Sequence, residues 1–239
     1  MSLLTTALLL FLLVLPLCLR IRSCRQRGLD AQALRLYNRG ARTVGAAVLT
    51  AMAAQETILF LADQLTWATA LPLHLCSLMG LLTLPALVTR REALLHTLLL
   101  LGAPGAALAL LFPAVADTPW PRLTGFFFCL MHAGIFLAPL LSLALGWRPR
   151  PRGATQAGAF LLSAGTAALI ANRLTGGNYL FLAGPVPGTP LMLLSRSGPV
   201  VYRLLLAALA LLLLTVEATL IFLLTRNIPK AASGPRKLA

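Results

Sequence analysis

Along the 239 residues, long apolar stretches alternate with short polar connections, and the apolar stretches cover 3–19, 43–62, 70–88, 94–112, 124–146, 154–172 and 199–225. A hydrocarbon core about 30 Å thick is crossed by about 20 apolar residues of α-helix. Lipid offers no partner to an exposed peptide group, so runs of this kind cross as helices whose backbone bonds are internal. The pattern predicts an all-α polytopic membrane helix bundle of about seven transmembrane helices, forming one transmembrane domain over residues 1–239. The first stretch has no basic residue before it and is followed by Arg20, Arg22, Arg25 and Arg27. That order is the reverse of a secretory signal, and the segment is expected to stay as a helix.

Two connections are long. Residues 20–42 form a basic loop, in which AQALRLYNRGAR reads as an amphipathic surface helix. Residues 173–198 form a Gly- and Pro-rich segment, RLTGGNYLFLAGPVPGTPLMLLSRSG. Long irregular segments against a bundle are frequently functional. No internal repeat is visible.

Composition excludes a soluble class. The chain is 59% hydrophobic and 11% charged with a mean hydropathy of +0.86, whereas soluble domains carry roughly 25% charged residues. A formal charge of +14 would suggest nucleic acid in a soluble protein. Here the basic residues stand between apolar runs, which reads as topology signal and contact with anionic lipid, with no nucleic-acid partner. Seven arginines lie in 20–42, Arg90 and Arg91 after the third run, and Arg148, Arg150 and Arg152 after the fifth. The basic tail 226–239 adds Arg226, Lys230, Arg236 and Lys237. The opposite side keeps only Arg122, Arg173, Arg196 and Arg203, so the positive-inside rule predicts an N-out, C-in protein of the inner (cytoplasmic) membrane. The four cysteines, Cys18, Cys24, Cys76 and Cys129, lack the spacing of a disulfide framework or a CxxC metal site.

Ionisable groups inside spans are costly, which makes them default candidates for function. On the predicted topology Glu56, His74 and Cys76 lie about 6 to 9 Å below the outer boundary, and His132 near about 12 Å. The four are expected to share one layer. Each also has a plain reading: a Glu or His near a helix end is commonly a solvated or helix-bonding group, and Cys18, Cys24 and Cys129 read as inert small apolar side chains. His96 reads as structural, and Glu217 as a packing hydrogen-bond partner, with a proton relay as its alternative.

A thiolate beside an imidazole base supports acyl transfer through a thioester. Two residues apart on a regular helix, His74 and Cys76 point about 200° away from each other. The base for Cys76 is therefore expected to be His132, with His74 and Glu56 in support. A metal site built from His74, Cys76, Cys129, His132 and Glu56 is the competing account, since Cys129 and His132 share a helix face. The same 200° separation weighs against it, and neither a metal nor another cofactor is expected. Asn172, Asn178 and Tyr179 have donors suited to an oxyanion, although Gly176-Gly177-Asn178 is also an ordinary turn sequence and Tyr179 an interfacial anchor. Arg173, Arg196 and Arg203 suit a lipid phosphate, or simply snorkel.

LPLHLCSL (71–78), FFFCLMHAGIFLAPLL (126–141), NRLTGGNYLFLAGPVPGTPL (172–191) and GPVVY (198–202) resemble the bacterial YwaF-like integral membrane proteins. These are similar to the eukaryotic transmembrane protein 164 acyltransferases. The match runs from about residue 45 to 225. The resemblance implies transfer of an acyl chain between phospholipids, with Cys76 and His132 as the catalytic pair. More distant relatives use Thr and His to hydrolyse lipid esters.

The expectation is thus a membrane acyltransferase acting on phospholipids or lysophospholipids. The alternatives are an intramembrane lipid-ester hydrolase, or a transporter or receptor without catalysis. The absence of broken helices around a mid-membrane polar track weighs against transport.

Overall fold

In the computed structural model, which describes residues 3–113, 115, 117–185 and 189–226, the apolar runs are helices, and no strand occurs among the described residues. The order is α1 (Leu3–Gln26), α2 (Asp30–Leu61), α3 (Leu75–Thr89), α4 (Glu92–Thr97), α5 (Ala103–Leu111), α6 (Pro121–Leu145), α7 (Gly153–Thr175) and α8 (Pro199–Arg226). Between α4 and α5 lies a π-helical turn, Leu98–Gly102, so that Glu92–Leu111 is one continuous rod. Pro104 explains the widened turn: it has no N–H for the carbonyl one turn back, and the Ala103 amide reaches five residues back to the Leu98 carbonyl. Counting that rod once gives seven long helices among the described residues, in an all-α membrane bundle. Among the described residues, five stretches are long and apolar enough to cross a membrane: Asp30–Leu61, Glu92–Leu111, Pro121–Leu145, Gly153–Thr175 and Pro199–Ile221. The tail positions Lys230, Arg236 and Lys237, and the side chain of Arg196, lie outside the described residues.

Two expectations are corrected. The basic segment 20–42 is mostly helix: α1 runs to Gln26, α2 starts at Asp30, and only a tight connection at 27–29 separates them. Gly28 turns the chain there with φ of +74°, and Arg25 closes the turn by pairing with Asp30 at 2.6 Å. The predicted amphipathic helix is the first three turns of α2, because Ala33, Tyr37, Gly40 and Ala41 pack inward while Arg35, Arg39 and Arg42 face out. The third run also starts later than predicted. Residues 70–74 are non-helical, and α3 begins at Leu75.

In lipid, helices associate through close packing rather than through the hydrophobic effect. Glycine supplies the closeness. A Cβ on Gly45 of α2 would stand 2.9 Å from the Leu84 Cα of α3, nearer than side chains tolerate, so the two backbones meet there. Val48 of α2 fills the next layer, touching Gly80 of α3 and Gly134 of α6. Helices α2 and α6 form the centre with α1, α3 and the π turn around them; α7 and α8 lie outside. Leu162, Leu169, Ile170 and Leu174 on α7, and Leu204, Leu211 and Leu212 on α8, are exposed, as a lipid-facing surface requires.

The arginine-rich end is locked by polar contacts. The buried Tyr37 hydroxyl donates to the Leu87 carbonyl in the last turn of α3 at 2.8 Å and lies 3.1 Å from Ser142 Oγ on α6. The fully buried His96 ring lies between Gln156 Oε1, 3.0 Å from Nδ1, and the Arg150 amide, which donates to Nε2 at 2.9 Å. An accepting Nε2 with an amide oxygen at Nδ1 fixes the neutral tautomer protonated on Nδ1. This geometry agrees with the structural reading of His96. Glu92 then pairs with Arg150 at 3.2 Å and Arg152 at 2.5 Å.

Candidate active site

The opposite end is organised around the connection after α7. Helix α7 stops at Gly176, in the left-handed conformation with φ of 71°, and the chain folds back onto the 62–74 connection. Asn172 and Tyr179 join by a reciprocal pair: the Tyr179 amide donates to Asn172 Oδ1 at 2.7 Å, and Asn172 Nδ2 donates to the Tyr179 carbonyl at 3.0 Å. The Tyr179 ring is fully buried, and its hydroxyl donates to the Trp67 carbonyl at 2.8 Å while accepting from the Leu71 amide at 3.0 Å. Asn178 does for the next turn what Asn172 does for this one. Its Oδ1 accepts from the amides of Ala183 and Gly184, and its Nδ2 donates to the Gly184 carbonyl.

The donors expected for an oxyanion are therefore occupied by backbone. In this conformation Asn172, Asn178 and Tyr179 clasp two connections together, the turn chemistry that was their alternative reading. Leu180 and Phe181 inside the clasp adopt left-handed φ of 53° and 58°, at a cost of about 1–2 kcal/mol each. The Tyr202 hydroxyl holds the Phe181 carbonyl at 2.8 Å, and Arg203 Nε holds that of Leu182 at 2.9 Å. Nothing in the sequence pattern signals which carbonyls Tyr202 and Arg203 would take. Arg173 is exposed at the same end.

His74 is not on a helix. It is the extended N-cap of α3, with φ of −72° and ψ of 148°, and its side chain makes no capping bond. The imidazole is held between two rings of the clasp, with centroids 5.2 Å from Tyr179 and 5.6 Å from Phe181. The 200° relation to Cys76 does not apply, but the outcome is similar, because His74 belongs to the clasp.

Cys76, half-buried, is the second residue of α3. Its level follows from the contact one turn further along, where a Cβ on Gly80 would lie 3.5 Å from Met52 Sδ, 3.6 Å from Val48 Cγ1 and 4.0 Å from Ile135 Cδ1. Cys76 precedes Gly80 by four residues, and His132 precedes Ile135 by three, so both lie one turn from that contact, on the faces that make it. Counted from Val48, which touches both Gly80 and Gly134, Cys76 stands about 6 Å and His132 about 3 Å toward the clasp. Glu56 stands about 12 Å from Val48 on the same measure. On this measure the four stand at successive depths, His132 nearest Val48, then Cys76 and His74, with Glu56 furthest toward the clasp.

His132 is 3% exposed. Its Nδ1 lies 2.8 Å from the Phe128 carbonyl, one turn back on its own helix. A carbonyl only accepts, so the proton sits on Nδ1 and the Nε2 lone pair is directed away from α6. No hydrogen bond joins it to Cys76 in this resting arrangement; catalytic contacts commonly tighten only with substrate bound. Cys129 is buried in α6. Among the described residues, no three His, Cys, Asp or Glu side chains gather as a metal site would require. Cys18 is buried and Cys24 half-buried, both as free thiols. Glu217 is half-buried on α8, away from these residues.

The all-α membrane bundle agrees with one comparison. A family model described as the TMEM164 family matches residues 1–222. The chain belongs to the TMEM164 family. As a TMEM164 family member it is a multi-pass membrane protein, and the match takes in every element from α1 to the clasp. No curated protein and no solved structure is similar enough to the chain to count as a match.

Proposed function

We propose that the protein is a membrane acyltransferase that moves a fatty acyl chain between phospholipids or lysophospholipids by way of a thioester on Cys76. The observation that carries the reading is the shared level of Cys76 and His132, each one turn from the Gly80–Ile135 contact, with an Nε2 acceptor on the buried imidazole. His132 Nε2 takes the thiol proton as sulfur bonds to the ester carbonyl carbon, and the carbonyl electron pair moves onto oxygen. As the pair returns, the carbon–oxygen bond of the lipid breaks, and the leaving lysolipid oxygen takes the proton from His132. The acceptor hydroxyl then gives its proton to Nε2, bonds to the thioester carbon and expels the sulfur, which recovers the proton. A deacylating water in place of the lysolipid would make the enzyme a hydrolase.

Glu56 and His74 line the approach from the clasp end, and the exposed Arg173 and Arg203 are suited to a lipid phosphate. On the charge alternation this end faces away from the cytoplasm, with the chain in the inner membrane. A p-nitrophenyl acyl ester should acylate Cys76 in proteoliposomes with release of p-nitrophenolate, and labelling should disappear in Cys76→Ala. Removing a general base lowers the rate about 10²–10⁴-fold, so His132→Ala should slow transfer of labelled acyl chains to lysolipid by that amount. Undiminished transfer by Cys76→Ala would sink the reading. Labelled free fatty acid without labelled phospholipid would assign hydrolysis.

A further inference from the structure

At the arginine-rich end, the connection from α6 to α7 runs Arg148, Pro149, Arg150, Pro151, Arg152. Proline fixes its own φ and keeps the residue before it extended, so Arg148 and Arg150 are held out of helical conformation. Tertiary contacts hold the segment further: the Arg150 amide donates to the buried His96 ring, and Glu92 pairs with the guanidinium groups of Arg150 and Arg152. The segment is a fixed shelf, with little freedom left to lose when a ligand settles on it.

The charge on this shelf is not balanced. Among the described residues, Glu92 is the one carboxylate that pairs with the three arginines, and Arg148 reaches only the Trp147 carbonyl, at 3.5 Å. Two positive charges are left over, and all three arginines are exposed. Glu217, one turn deeper on α8 than Ile221, forms no ion pair with them.

A shallow apolar crevice adjoins the shelf. Its walls are Leu100 from the π turn, Pro149, Arg150 and Pro151 from the shelf, and Ala218 and Ile221 from α8. Widened turns of this kind recur at functional sites. Around the crevice, Leu220 and Leu223 of α8 are exposed, as contact with lipid requires. An apolar crevice and a fixed excess of positive charge that share Arg150 match the two parts of a phospholipid with an anionic head group. A soluble anion would use the charge and leave the crevice empty. A zwitterionic lipid would use the crevice but bring a cation of its own to the arginines.

We infer that the crevice between the 148–152 connection, the π turn and α8 seats an anionic phospholipid from the leaflet at this end of the bundle. Its phosphate lies on Arg148 and Arg150, and the upper part of one acyl chain lies against Leu100, Ala218 and Ile221. The lipid fills the gap between α8, exposed over most of its length, and the rod that α8 flanks. Cys76 and His132 stand toward the other end, and the site does not depend on the acyl-transfer reading.

The test is native mass spectrometry of the full-length protein from detergent micelles holding equal amounts of phosphatidylglycerol and phosphatidylcholine with the same acyl chains. Phosphatidylglycerol should be retained in preference to phosphatidylcholine. An arginine near a membrane surface changes attraction to anionic lipid about fivefold, so Arg148→Gln should lower that retention about fivefold. Arg148→Gln/Arg150→Gln should lower it further, with the residue 150 amide still on His96. Arg35→Gln/Arg39→Gln, which alters exposed arginines of α2 at the same end, should leave retention unchanged. Ala218→Phe fills the crevice without altering charge and should also lower retention; if that variant does not fold, the two arginine pairs decide. In thermal unfolding, phosphatidylglycerol should raise the midpoint, and sn-glycerol 1-phosphate at the same concentration should not. Equal losses in the two arginine pairs would reduce the site to diffuse attraction and overturn it, as would equal retention of phosphatidylcholine. A midpoint raised equally by glycerol phosphate would replace the lipid seat with a simple anion site.

Discussion

The two ends of the bundle use buried polar groups in opposite ways. At the arginine-rich end, side chains bond across helices: Tyr37 to Leu87 and Ser142, His96 to Gln156 and Arg150, Glu92 to Arg150 and Arg152. Among the described residues, only Trp147 Nε1 is buried there without a partner. At the clasp end the side chains bond to connecting backbone, and among the described residues the first three amides of α3 and His132 Nε2 make no hydrogen bond. A satisfied polar network rigidifies the elements that carry it. The first end holds the helices together, and the second holds a short helix start open.

That contrast is broken most sharply by filling space at the locked end. A Cβ on Gly153 would run into the His96 ring, which cannot turn aside because both its nitrogens are bonded. Gly153→Ala should cost about 3 kcal/mol or somewhat less, read as a lowered midpoint of thermal unfolding in detergent. Gly177→Ala at the other end places its methyl 2.7 Å from the Ala68 carbonyl, in a connection able to shift, and should cost less in the same assay. Equal costs would remove the distinction between the ends.

Single hydroxyl deletions sharpen it. Tyr37→Phe leaves a buried carbonyl and Ser142 without their partner, for about 1–3 kcal/mol, and should leave acyl transfer unchanged at temperatures where the protein is folded. Tyr179→Phe should destabilise by about 1 kcal/mol. It should nevertheless reduce acyl transfer more than Tyr37→Phe does, and speed hydrogen exchange in 67–74 and 176–184. An unaltered transfer rate in Tyr179→Phe would detach the clasp from the site. The smallest effect is expected for Glu92→Gln. Its carboxylate is one-third exposed and its arginine partners more so, and exposed pairs contribute about 0–1 kcal/mol, so the unfolding midpoint should barely move.

Much of the fold was legible in the sequence because lipid imposes a length and a composition on every crossing. Seven apolar runs became seven helices, and charged residues gathered at the ends. The misread connections have local causes. Three inward-facing turns of α2 carry arginines on their outer side and so resemble a surface helix. Residues 70–74 are apolar enough to read as helix, although Pro72 disfavours helical conformation at Leu71 and the Tyr179 hydroxyl of the clasp takes the Leu71 amide.

The candidate site was legible only as residue types and depths. Cys76 and His132 stood out because polar groups are scarce in the runs, and straight-helix arithmetic brought them near one level. The same arithmetic placed His74 on a helix because it took every helix to begin at its membrane boundary, whereas His74 is the extended N-cap of α3. Tyr179 was visible as an anchor or a donor, but which backbone groups its hydroxyl would take depends on where two distant connections meet.

By itself, then, the sequence determined the class of structure and the side of the membrane expected for each loop, because hydropathy and charge act on each segment independently of its neighbours. Only the tertiary structure decided where α3 begins, that its first amides are uncapped, and that His132 has its proton on Nδ1. Each of these depends on a partner far along the chain or on the geometry of one hydrogen bond, and neither is encoded in the period of an apolar run.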